Sequence, residues 1–196
     1  MPYGKLALDT IETSGNLDIA GNVAVTGNVT VSADLFVSGS QVEPLVLATA
    51  QTASGTSVDF TGIPSWVKRI TVMFRGVSTN GTSNVLIQLG SGSATTSGYL
   101  GASSVLTATV TSANYTNGLA VVRSNDGTSV VHGVCTAALV TGNTWAMAGT
   151  LAFSNGAGTV ISASTIALSG ALDLVRITTV NGTDTFDAGT VNIMYE

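Results

Sequence analysis

The pattern of apolar and polar positions divides the chain in two. From Gly15 it reads GNLDIA, GNVAVT, GNVTVS, ADLFVS and then Gly39, a six-residue period held over four units, residues 15–38. Aliphatic residues fill the third and fifth places of every unit: Leu17, Ile19, Val23, Val25, Val29, Val31, Leu35 and Val37. Two positions apart on a short strand, the members of each pair point the same way, and Gly-Asn, which tolerates φ > 0, supplies the corner between units. This is a β-solenoid type of repeat. A single-chain β-helix of hexads uses about three hexads per coil, and stacked repeats need about three units of neighbour contact before a core is covered. Four hexads make little more than one coil, so one chain cannot bury these eight side chains. Three chains winding together, each giving one face per level, enclose them in a closed prism. The expectation is a parallel homotrimer cemented by a stalk at residues 15–39. The alternative is a small meander packed on the domain that follows, which four-residue strands between corners disfavour.

From residue 57 onward the period is two. Candidate strands cover 57–60, 67–76, 84–90, 104–110, 118–124, 129–140, 144–154, 159–169, 172–180 and 185–195. Beside them stand Asn80-Gly81, Asn117-Gly118, Asp126-Gly127, Asn155-Gly156 and Asn181-Gly182, dipeptides that tight hairpins prefer. Alternation places Ile70, Val72 and Phe74 on one face, Val175 and Ile177 on another, and Val191, Ile193 and Tyr195 on a third. The fold expected is all-β: a short trimeric hexad-repeat β-helical stalk, then a jelly-roll-like β-sandwich at 57–196. The runs 129–140 and 159–169 carry small residues on both faces and are expected to be buried on both sides or bent by glycines such as Gly133. A sheet this apolar is an aggregation hazard when exposed, and burial against sister domains of a trimer removes the hazard.

The remaining segments are read as connections or docking pieces. Residues 1–14 carry Leu6, Leu8 and Ile11 with no partner of their own, as in a disordered tail or a peptide that docks onto another protein, and the apolar content favours docking. Residues 40–56 read as a linker with one strand in its middle, which Pro44 places at an edge or a strand start. Residues 90–103, rich in Gly and Ser, read as a mobile loop.

Composition removes several alternatives. Ser and Thr supply 50 of the 196 residues, whereas Glu, Lys, Gln and Arg, which coat the wet face of helices, supply 12. Only 9% of residues are charged, far below the roughly 25% of an ordinary soluble domain, which favours a subunit embedded in an assembly. The net charge of −5 is scattered, and Lys68-Arg69 is the one adjacent basic pair, so no nucleic-acid partner is expected. No apolar run approaches the length of a membrane span and no signal peptide opens the chain, so neither membrane insertion nor export is expected. One cysteine, Cys135, forms no intrachain disulfide.

Candidate chemistry is sparse. The lone histidine, His132, has no G-x-S-x-G elbow to serve, and Cys135, three residues on, points to the opposite face of the same strand. One Cys and one His exclude a zinc site, and Asp126, Asp173, Asp184 and Asp187 show neither a calcium-loop pattern nor a marked catalytic pair. No cofactor, metal or enzymatic activity is expected. Tyr99, Tyr115 and Trp145, set among small polar residues, are the candidates for contact with a host-surface glycan, and Trp66 is assigned to packing at a strand entrance.

GKLALDTIETSGN followed by GNVAVTGNVTVS resembles the N-terminal stalks of tailed-bacteriophage fibre and other virion appendage proteins. The stretch SVDFTGIPSWVKRITVMFRGVSTNGTSNVLIQLGS, with the ending FDAGTVNIMYE, resembles a β-domain that recurs in phage tail-fibre and other phage structural proteins. The resemblance implies a trimeric appendage, made in the host cytoplasm and carried on the virion. Residues 1–14 would dock to another virion protein of the tail or capsid, and the C-terminal domain would face outward. It carries no functional residues with it. Host attachment as a tail fibre is the first reading and capsid decoration at a threefold position the alternative. A tailspike-type polysaccharide-degrading enzyme stands third, because the chain is short for a carboxylate groove on a solenoid.

Overall fold

The computed structural model describes residues 24–28, 30, 31, 35–38, 40–122 and 125–196. The chain divides into two compact units, 1–42 and 43–196.

In the first unit, β1 (Phe36–Val37) and β2 (Ser40–Gln41) form a hairpin, with Phe36 opposite Gln41 and Val37 opposite Ser40. Ser38, at a φ of 51°, takes the left-handed conformation of its turn. Among the described residues the hexads form no β-helical coil. Val25, Val31, Leu35 and Val37 are 43–57% exposed, as expected of aliphatic pairs that one chain has no second face to cover. Leu17, Ile19, Val23 and Val29, and the docking residues Leu6, Leu8 and Ile11, lie outside the described residues.

The second unit is all-β, and its described residues contain no helix. Its first strands are β3 (Val46–Leu47), β4 (Gln51–Thr52), β5 (Ser57–Thr61), β6 (Arg69–Thr79), β7 (Val85–Ser91), β8 (Ser93–Ala94) and β9 (Leu100–Leu106). They are followed by β10 (Thr111–Tyr115), β11 (Leu119–Ala120), β12 (Val131–Thr141), β13 (Thr144–Phe153), β14 (Thr159–Ala167), β15 (Leu174–Thr179) and β16 (Phe186–Tyr195). The larger sheet runs β10-β9-β14-β13-β12-β6-β16-β3, with β4 also on β16; the smaller runs β11-β7-β15-β5, with β8 on β7. Pairing is antiparallel throughout.

One hydrophobic core joins the two sheets, an arrangement consistent with a β-sandwich. Alternation builds it as expected. Ile70, Val72 and Phe74 of β6 enter it beside Val191 and Ile193 of β16, and Val175 and Ile177 of β15 face them from the smaller sheet. Trp66 packs on this core at the entrance to β6, its ring 6.0 Å from that of Tyr195.

Four expectations are corrected here. The 40–56 segment supplies the expected edge strand after Pro44, β3, but its C-terminal flank, read as linker, adds β4 and the buried Ala53, because β16 offers an open edge. The 90–103 loop holds β8 and the start of β9, anchored by Tyr99 in the core. Among the described residues of the expected strand 118–124, only Leu119 and Ala120 form a strand, β11, opposite Ile87 and Leu86, and the Val121 and Val122 amides both donate to the Val85 carbonyl. Neither β12 nor β14 is buried on both faces: β14 alternates strictly, with Val160, Ser162, Ser164 and Ile166 inside and Ile161, Ala163, Thr165 and Ala167 outside.

Candidate interaction surfaces

The outward sides of the two sheets differ in chemistry. On the smaller sheet, Asp59 of β5 stands directly opposite Arg176 of β15. The guanidinium donates through Nε and Nη2 to both carboxylate oxygens, at 2.8 and 2.6 Å. This two-point bond holds the Arg176 pKa above its ordinary value. A polar groove of about 360 Å³ runs beside it, lined by Gln88, Asn117, Arg176, Thr178, Thr179 and Asn181. Gln88 Nε2 donates to the Asn117 carbonyl at 2.7 Å and Thr178 Oγ1 to the Thr56 carbonyl at 2.9 Å. The groove offers hydroxyls, amides and a paired cation, groups suited to hydrogen-bonding a polar surface. Its lining includes no aromatic ring.

The outward side of the larger sheet is the opposite case. β10, β9, β14, β13 and β12 are neighbours, and none of the five contains Asp, Glu, Lys or Arg. The register aligns their outward residues in rows. One row runs Thr71, Thr136, Ala148, Ala163, Ala102 across β6 to β9; the next runs Met73, Val134, Thr150, Ile161, Ser104. Leu100 is 74% exposed at one margin, and Val134, Val140 and Ile161 are exposed within the face or at its end. A shallow depression of about 560 Å³ lies over Leu100, Thr136, Ala138, Ala148, Ala163 and Thr165. The face holds no Asp, Glu, Lys or Arg from these five strands, and it mixes small and aliphatic groups with the His132 ring and the hydroxyls of Thr136, Thr150 and Thr165.

The sequence-predicted contacts fall elsewhere. Tyr99 and Trp145 are 0% and 2% exposed, so neither ring is open to an external glycan. Both pack in the core: Trp145 because β13 turns that position inward, and Tyr99 because the connection ahead of β9 brings its hydroxyl to the Leu89 backbone. Tyr115 is half-buried, and its hydroxyl accepts a hydrogen bond from Asn84 Nδ2 at 2.8 Å. The structure therefore does not bring the three rings together on a surface. His132 and Cys135 lie on opposite faces of β12, as their spacing implies. His132 Nδ1 accepts from the Gly76 amide at 3.3 Å and its Nε2 lies 3.2 Å from Ser154 Oγ, an arrangement that ties β12 to its neighbours. Cys135 is buried, and burial pushes its thiol up to about 12.

The acidic residues act as turn-builders. Asp184 accepts from the Ser83 amide and from Asn181 Nδ2, and Asp126 from the Thr128 amide and the Thr128 and Ser129 hydroxyls. These bonds lower both carboxyl pKa values. Among the described residues, no three His, Cys, Asp or Glu side chains converge on a common point, and no helix is long and apolar enough to cross a membrane. The sequence pointed to the larger sheet as one needing cover, but its residues are individually too ordinary to say which face lies outward. The strict alternation of β14 was the available signal.

Compared with known proteins, the chain matches no family model, no curated protein and no solved structure.

Proposed function

We propose that this chain is a non-catalytic structural subunit of a tailed-bacteriophage virion. It acts as a homotrimeric, fibre-like appendage held by its N-terminal segment and displaying its C-terminal β-domain. The observation that carries the reading is the exposure of Val25, Val31, Leu35 and Val37. Paired aliphatics repeated every six residues and left open in the single chain fit an interior that sister chains complete. The resemblance of the N-terminal stretch to phage appendage stalks supports the virion setting, and the scarcity of charge supports a place within an assembly.

Host attachment is the role proposed for the displayed domain, with the polar groove beside Arg176 as the outward hydrogen-bonding surface. The burial of Tyr99 and Trp145 favours a second reading, decoration of the capsid at a threefold position, which needs no stacking rings.

Quantitative mass spectrometry of purified virions of the encoding phage tests both. A few copies per particle fit the tail and hundreds fit the capsid surface. Absence from the virion overturns the proposal, as does a stable monomer of the full chain at nanomolar concentration.

A further inference from the structure

We infer that the outward face of β9, β14, β13 and β12 is an interface between copies of this chain, buried against the sister chains of the homotrimer. The inference rests on the homotrimeric reading and adds to it the surface by which the C-terminal domains meet.

Charge selects the occupant. A partner of either sign gains nothing from a face whose strands lack Asp, Glu, Lys and Arg, whereas a second copy meets it without repulsion. On the opposite side of the domain the part-exposed Asp59–Arg176 ion pair and the polar groove beside it supply the charge and hydrogen-bonding groups that the larger sheet's face lacks. The two sides therefore suit partners of different chemistry.

Size agrees. Four strands at about 4.8 Å by eight residues at about 3.4 Å give a face on the order of 500 Å². That is at the upper end of the largest apolar patch of an ordinary monomer, about 300–600 Å², and is more than half of the roughly 800 Å² each partner buries in a standard interface.

The geometry of a threefold also fits. Facing sheets pack about 10 Å apart, so three sheets around an axis stand about 5 Å from it and enclose a triangle about 17 Å on a side, room for about three to four strands. The row Thr136, Ala148, Ala163 and Ala102 crosses four neighbouring strands with small side chains, which lets three faces approach that closely. The hexads ask independently for the same number of chains.

The test uses the full chain with single substitutions Ala148→Cys or Ala163→Cys on the face and Thr183→Cys, at an exposed turn, as the reference. Light scattering gives the mass, and maleimide labelling gives the reactivity of each thiol. The expected result is a threefold mass with the two face thiols reacting at least tenfold more slowly than the Thr183→Cys thiol. A threefold mass with all three thiols equally reactive overturns this interface and leaves the homotrimer standing. A monomeric or dimeric mass overturns both. As a second measurement, Ala148→Glu with Ala163→Glu is expected to raise at least tenfold the concentration at which the trimer dissociates; an unchanged value overturns the interface.

Discussion

The Tyr99 hydroxyl lies 2.7 Å from the Leu89 amide nitrogen and 3.3 Å from the Leu89 carbonyl oxygen. Partnered by β11 only at Leu86 and Ile87, β7 would leave the Leu89 amide without a strand beside it, and the phenol takes the strand's place. Tyr99→Phe keeps the ring and removes this bond inside a sealed core. An unsatisfied buried donor costs about 1–3 kcal/mol. The expected outcome is a fall in Tm of roughly 4–8 °C for a loss of about 2 kcal/mol, measured by calorimetry. An unchanged Tm would show that the bond contributes nothing net.

Alkaline pH should destabilise the fold through two buried groups. Burial raises Tyr99 from 10.0 to about 12, the Leu89 bond offsetting part of the effect, and burial raises Cys135 from 9.0 to about 12. Between the unfolded values and about 12, the unfolded chain has released protons that the folded chain still holds, so stability falls as pH rises. The contribution is complete below about pH 9. Urea midpoints measured at pH 8, 10 and 11.5 should decline, and Tyr99→Phe combined with Cys135→Ala should flatten the decline. At pH 8 the Cys135 thiol should resist a thiol reagent until the chain unfolds.

Gly189 marks the irregularity of β16 between Ala188 and Thr190, at a φ of +97°. A Cβ there would overlap the Gly76 carbonyl on the neighbouring strand. Gly189→Ala should cost about 2–4 kcal/mol, from strained backbone plus overlap. Gly182, with φ +68° and open space around it, isolates the backbone part, and Gly182→Ala should cost about 1 kcal/mol. Equal losses in denaturant titration would exclude the overlap.

Val25→Asp with Val31→Asp places two carboxylates where the stalk interior is proposed. The full-length variant should dissociate to single chains at a concentration at least tenfold above that of the parent. Near-ultraviolet circular dichroism of the C-terminal domain should be unchanged. Unaltered mass across the dilution series would separate trimer formation from the hexads.

Much of the sandwich was legible because period-two runs such as Ile70, Val72 and Phe74 report their buried face directly. β10 was missed because TSANY carries little apolar signal and gains its strand character from β9 beside it. β4 looked like linker because Gln51–Thr52 makes no strand without the edge of β16. Tyr99 was read as an exposed contact because its Gly- and Ser-rich surroundings conceal the backbone group, ten residues earlier in the chain, that it satisfies. The open faces of β12 and β14 were not separated from their buried ones, leaving burial on both sides or bending at Gly133 as the readings, because alternating small residues look alike on both sides of a strand. Only the register separates Ala163, outside, from Ser162 and Ser164, inside.

The position of β16 also bears on synthesis. It lies between β6 on one side and β3 with β4 on the other, so it joins segments made early to one another. While Phe186–Tyr195 is still within the ribosome, β6 lacks a neighbour and Val46–Leu47 and Gln51–Thr52 have no edge to join. Closure of the larger sheet therefore follows translation of nearly the whole domain, a long-range and slow pairing. Were the proposed stalk to form between chains on a shared messenger, it would join chains whose C-terminal domains are still open, and its registration would precede completion of the domains it carries.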